Sequence, residues 1–129
     1  MNHQAFDQWI SGLDIEFWGT AQHKITPARF FERRHKENAV LLDLRDPQEL
    51  EYLALPFALH IPINELPTRR HQVPEDRLVA LFCSSGVRSA VAFAYLRFYG
   101  LDNVRIMDGG YEKLVAEFKP GKIHKRAQG

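Results

Sequence analysis

Cysteine is nearly absent from this 129-residue chain: Cys83 is the single one. No intrachain disulfide can form, and no Cys-x-x-Cys redox pair or cysteine zinc site is available. Long apolar runs are also missing, which excludes a membrane-spanning helix. Residues 1–10 have neither a basic n-region nor an apolar h-region, so no secretory signal is visible. Charge of one sign is in short supply, with a formal net charge of +1. That balance argues against a nucleic-acid or membrane partner held by charge. The basic clusters Arg33-Arg34-His35-Lys36, Arg69-Arg70-His71 and Lys122 to Arg126 read as solvated faces. The six histidines show no metal-ligand spacing, so neither metal nor other cofactor is expected. The default expectation is a cytoplasmic protein.

What the chain does have is an alternation of element types. Phe6, Trp9, Ile10 and Leu13 fall on one face of a short helix. They form an aromatic arm that either packs on the body of the domain or serves a partner. Thr26-Pro27 starts a helix running to about Lys36, with Phe30 facing inward. Ala39 to Leu44 is an apolar run of the kind found in a strand buried on both faces. Asp46-Pro47-Gln48-Glu49 is a capping box opening a short helix that ends before Pro56. Ala58 to Pro62 reads as a strand, Ile63 to His71 as a helix, and Leu78 to Phe82 as a third strand. Ser89 to Tyr99 is an unbroken helix, apolar nearly all round, with Gly100 at its C-terminal cap. Val104 to Met107 is a further strand and Tyr111 to Phe118 a last helix. This order predicts one α/β domain over residues 25–118, with a mainly parallel sheet flanked by helices on both faces. Residues 1–24 form the arm and 119–129 a flexible polar tail.

Cys83 stands where a strand gives way to a small-residue turn, Ser84-Ser85-Gly86, ahead of Val87, Arg88 and Ser89. Ligands gather at the carboxyl ends of such strands. Thiol chemistry needs the thiolate, and inward-facing loop amides at a helix start supply the positive potential it requires. Arg88 adds a cation that can attract an anionic substrate or bond loop carbonyls, and Ser89 is placed to cap the helix. Each donor to an anion contributes roughly 1.5–3 kcal/mol. The competing reading is an inert buried cysteine, common for this residue type.

The pattern Cys83-x-x-Gly86-x-Arg88-Ser89 resembles the active-site loop of single-domain rhodaneses, the sulfurtransferases. In the right order, Asp43-Leu44-Arg45 resembles the family's Asp-x-Arg segment. Pro56 to Pro62 resembles its Pro-Gly-Ala-x-Asn-Ile-Pro segment, and Asp108-Gly109-Gly110-Tyr111 its closing Gly-Gly turn. The resemblance implies a single rhodanese-like domain in which Cys83 becomes a persulfide. The amides from Ser84 to Ser89 (Ser85, Gly86, Val87 and Arg88 between them) would cradle that persulfide, with Arg88 binding donor or acceptor. Asp43 and Arg45 would organise the site, Arg45 pairing with Glu49. The implied partners are a small sulfur donor such as thiosulfate and a thiol or cyanide acceptor, with a protein donor or acceptor as an alternative.

The family's Gly-His-Ile-Pro-Gly stretch is replaced by Leu53-Ala54-Leu55-Pro56-Phe57, where Phe57 would narrow the entrance. His60 stands in place of asparagine and reads as structural. Two other functions compete with sulfur transfer. One is a persulfide carrier or regulatory module with a protein partner. The other is a cysteine phosphatase or arsenate reductase, whose arginine lies six positions after the cysteine rather than five.

Overall fold

The computed structural model describes residues 3–128. Its elements run α1 (His3–Ser11), α2 (Ile15–Gly19), β1 (Lys24–Ile25), α3 (Pro27–Glu37), β2 (Val40–Asp43), α4 (Pro47–Leu50) and β3 (Leu59–His60). Next come α5 (Leu66–Arg69), β4 (Val79–Phe82), α6 (Val87–Phe98), β5 (Val104–Met107), α7 (Gly110–Ala116) and α8 (Pro120–Gln128). The five strands form one sheet in the order β1-β5-β4-β2-β3, and every neighbouring pair is parallel.

Side chains alternate across a strand, so each central strand feeds two cores. Leu42, Val79 and Leu81 point to the face covered by α6, where Ala92, Phe93 and Leu96 meet them with Leu66 of α5. Leu41, Ala80 and Phe82 point to the opposite face, against Phe30 and Phe31 of α3 and Leu114 of α7. Helices therefore cover both faces, and β4 carries Cys83 out of the middle of the sheet.

The helix starts follow the sequence signals. Thr26 Oγ1 accepts from the Arg29 amide at 3.2 Å, with Pro27 in the first turn. Asp46 caps α4, and Glu49 Oε1 reaches back to the Asp46 amide at 2.9 Å. The arm lies along α6: the Phe6 ring meets Phe98 edge-on at 5.3 Å, and Phe17 lies 6.3 Å from Phe93.

Three segments differ from expectation. Residues 63–72 are not one helix but α5 between two single 3-10 turns, Ile63–Glu65 and Arg70–Gln72. Pro67 lacks the amide that a continuous helix would use there. Strand β1, only two residues long, is too short to show any periodicity in the sequence.

Pro120 to Gln128, expected as a frayed tail, forms α8. Lys122 and Arg126, one turn apart, both reach the buried Glu117 carboxylate, at 2.8 and 2.9 Å. Arg126 also bonds the Glu117 carbonyl at 2.7 Å and lies 4.9 Å above the Phe31 ring. None of the helices described is long and apolar enough to cross a membrane.

Candidate active site

Parallel strands deliver their carboxyl ends to one edge, and three of them meet around Cys83. On one side, Asp43 at the end of β2 pairs in register with Phe82. On the other, the turn after β5 brings in Asp108, Gly109 and Gly110. Only 3 % of Cys83 is solvent-exposed, yet it is not sealed in the core. It lines a cavity of about 390 Å³ together with the loop after β4, the turn after β5, and His23 and Lys24 at β1. A cleft of similar size between α3 and α8 is walled by solvated charges such as Glu32, Lys36 and Lys125, and holds no thiol.

The loop is built on Gly86. Its φ of +87° is a left-handed conformation that costs glycine little, and it turns the chain directly into α6. The helix consequently starts at Val87, so Ser89 is not its N-cap as expected but lies within its first turn. The capping acceptor is the sulfur. Cys83 Sγ accepts from the Gly86 amide at 3.1 Å and the Ser89 amide at 3.3 Å. Val87 is 67 % exposed and packs outside the ring.

Burial by itself pushes the Cys83 thiol up. The Ser89 hydroxyl and the amides of Ser89, Gly86 and Ser85 pull the other way and prevail, so the thiol lies below its ordinary value. The Ser89 hydroxyl is buried and has no hydrogen-bond partner in the resting protein. Its influence on the thiol is to favour the anion.

Arg88 has a partner already. Its guanidinium grips Glu49, Nη1 to Oε1 at 2.5 Å and Nη2 to Oε2 at 3.0 Å, and also donates to Ser84 Oγ at 2.9 Å. Arg88 holds the Glu49 carboxyl down to about 2; burial opposes this and the Asp46 amide assists. The expected Arg45–Glu49 pair does not form. Arg45 instead clasps Asp43, Nε to Oδ1 at 2.8 Å and Nη2 to Oδ2 at 2.7 Å, both residues being fully buried. Asp43 and Arg45 flank Leu44 in an extended segment, so their side chains leave on the same side.

Tyr111, expected only as the start of the last helix after the Gly-Gly turn, bonds Arg45 Nη1 through its hydroxyl at 3.1 Å. Its ring stands edge-on to Phe82, the residue before Cys83, with centroids 5.5 Å apart. His60 Nε2 donates to the Arg45 carbonyl at 2.7 Å, a structural role. Phe57 does not narrow the entrance: it packs against Phe31 and Phe118, with Arg34 above its ring, and is absent from the cavity lining. His23 and Lys24 do line the cavity, and nothing in the sequence points to them, because only the pairing of β1 with β5 carries them there.

A parallel sheet covered by helices on both faces, its central strand ending in a thiol that accepts from two loop amides, defines the class of this α/β domain. The chain belongs to the rhodanese family, as residues 26–117 match the model of the rhodanese-like domain. It is 39 % identical over 74 residues to a sulfurtransferase of Allochromatium vinosum, covering 57 % of this chain and 69 % of that one. To the thiosulfate sulfurtransferase GlpE of Actinobacillus succinogenes it is 34 % identical over 89 residues, 69 % and 80 % of the two chains. Among solved structures, a rhodanese-related protein from Thermoplasma volcanium superposes with a TM-score of 0.65 at 31 % identity, covering 76 % of this chain and 95 % of that one. The protein is a rhodanese-type sulfurtransferase.

Proposed function

We propose that this enzyme moves sulfane sulfur from a donor such as thiosulfate to a thiophilic acceptor through a persulfide on Cys83. In the first half-reaction the thiolate attacks the outer sulfur of thiosulfate. A new S–S bond forms at Cys83, and the old one breaks with its electron pair leaving on sulfite. In the second, cyanide or a thiolate attacks the terminal sulfur, giving thiocyanate or a new persulfide and returning the Cys83 thiolate. With one cysteine in the chain, release of sulfur is necessarily intermolecular.

The observation that carries this reading is the pair of amides aimed at Sγ inside an open cavity. The same amides that favour the thiolate suit its anionic persulfide. The thiosulfate sulfurtransferase among the relatives supports that donor. Asp43 and Arg45, clasped to each other and to Tyr111, hold the neighbouring strand end and organise the site without touching the sulfur.

The test is transfer from thiosulfate to cyanide, with the mass gain of one sulfur atom read on intact protein. Loss of both transfer and mass gain in Cys83→Ala is expected; a variant that transfers as well as the wild type overturns the assignment.

The engagement of Arg88 with Glu49 favours a second reading over the phosphatase one. An arginine committed to a carboxylate is poorly placed to ring a phosphate. It also leaves the loop without a free cation, which suits a carrier loaded by a protein persulfide. Rapid loading by a cysteine desulfurase with negligible turnover of thiosulfate would mark the carrier.

A further inference from the structure

The thiolate already carries a negative charge, and Arg88 and Glu49 cancel one another beside it. An anionic donor approaching Cys83 therefore meets amide dipoles and a like charge, with no net help from the loop side chains. Yet the cavity has a second wall, formed by β1 and the turn after β5. Backbone bonds fix it: Ile106 donates to the His23 carbonyl at 2.8 Å and Asp108 to the Ile25 carbonyl at 2.9 Å. Lys24 consequently stands opposite Ile106 and next to Asp108.

Among the described residues lining the cavity, Lys24 is the one lysine or arginine. At His23, burial together with Lys24 and Arg105 disfavours the charged form, holding its pKa below the ordinary value against the opposing pull of Asp108. Lys24 is only loosely engaged. Its ammonium lies 3.9 Å from Asp108, with the two side chains 47 % and 52 % exposed. A pair that exposed contributes little, so the flexible lysine can leave Asp108 for an incoming anion at small cost.

We propose that Lys24 recruits the anionic group of the sulfur donor into the Cys83 cavity, and that Asp108 competes for it and so tunes selectivity toward anionic donors. This assignment rests on the sulfurtransferase reading for its biological meaning. Its electrostatic content is testable without sulfur transfer.

The experiment compares alkylation of Cys83 by iodoacetate, an anion, with alkylation by iodoacetamide, its neutral counterpart, alongside kcat/KM for thiosulfate. Taking the ratio of the two alkylation rates cancels changes in thiolate population. Lys24→Ala should lower the ratio about fivefold at low salt, and thiosulfate kcat/KM by a similar factor. Lys24→Arg should restore both, Asp108→Asn should raise both, and high salt should shrink every difference by screening. Lys36→Ala, the same loss of charge on α3, should change neither.

An alkylation ratio unmoved by Lys24→Ala overturns the inference, whatever thiosulfate does. A ratio that responds in a wild-type protein that thiosulfate fails to load supports the anion site while removing thiosulfate as the donor. Circular dichroism and urea midpoints of each variant separate these outcomes from misfolding.

Discussion

Arg88 ties the first turn of α6 to α4 by holding both oxygens of Glu49, which lies 39 positions earlier in the chain. The pair braces the Cys83 loop from outside, and Ser84 Oγ is drawn into the same fork. In this chain the loop arginine is engaged with Glu49 and Ser84 rather than turned free toward the cavity.

A pH dependence of stability follows from that pair. Glu49 titrates at about 2 in the folded protein against 4.5 ordinarily. A carboxyl depressed by folding contributes its full stability above its unfolded value and loses it as the pH falls toward the folded one. The pair's contribution should therefore be complete at pH 7 and fade between 4.5 and about 2. Glu49→Gln should lower the urea-derived stability at pH 7 by about 1–3 kcal/mol. The gap from wild type should close near pH 2; a gap independent of pH would show that the charge is not what matters.

Ser89→Ala offers an unusual dissociation. Its hydroxyl is buried without a partner, so replacing it by a methyl group removes an unsatisfied group rather than a bond. Stability should stay the same or rise slightly. The Cys83 thiol should nevertheless titrate higher, because the hydroxyl favours the anion. Iodoacetamide reactivity followed against pH gives the thiol's midpoint, and thermal denaturation gives the stability. A lower midpoint in Ser89→Ala would contradict the assigned role.

The Asp43–Arg45 pair is a costly place in the fold to break. Both groups are inaccessible and clasped by two hydrogen bonds. Removing either partner strands a buried charge, at a cost of roughly 3–5 kcal/mol. Asp43→Asn and Arg45→Met should each lower the urea midpoint far more than Glu49→Gln. The double variant Asp43→Leu with Arg45→Met should recover much of the loss, since neither charge is then stranded; equal losses in single and double variants would point to packing instead.

Helix α8 places two of its cations on one carboxylate. Glu117 holds Lys122 and Arg126 from a buried position. Glu117→Gln should speed tryptic cleavage within residues 120–128 several-fold (about the effect of roughly 1 kcal/mol on local opening). The global unfolding transition should move much less. Unchanged cleavage would mean that Arg126 on the Phe31 ring suffices to hold the helix.

Much of the architecture is legible in the residue order itself. The apolar runs at 39–44 and 78–82 lie within one or two residues of the strands β2 and β4, because a run buried on both faces has few other solutions. Thr26-Pro27 and the Asp46–Glu49 box mark true helix starts, since capping is chemistry between neighbours in sequence. The end of α6 at Tyr99-Gly100 is equally local.

Where the residue order misleads, the partner lies far away along the chain or the signal is too short. Proximity assigns Glu49 to Arg45, yet Arg88 takes Glu49 and Asp43 takes Arg45. Period-two alternation across Leu44 is the clue that favours the Asp43–Arg45 pair. Nothing local reveals Tyr111 bonding Arg45, 66 positions away, or the two-residue strand that sets Lys24 beside Asp108.

The amino-acid order alone therefore determined the central strands, the main helix starts, the thiol and its glycine-bearing turn, because backbone preference, capping and burial are decided over a few neighbouring residues. Which charges neutralise one another, and which cation lines the same cavity as the thiol, was decided by the parallel sheet. It brings the ends of β2, β4 and β5 and the edge strand β1 to one rim, and electrostatic energy depends on distance in space rather than along the chain.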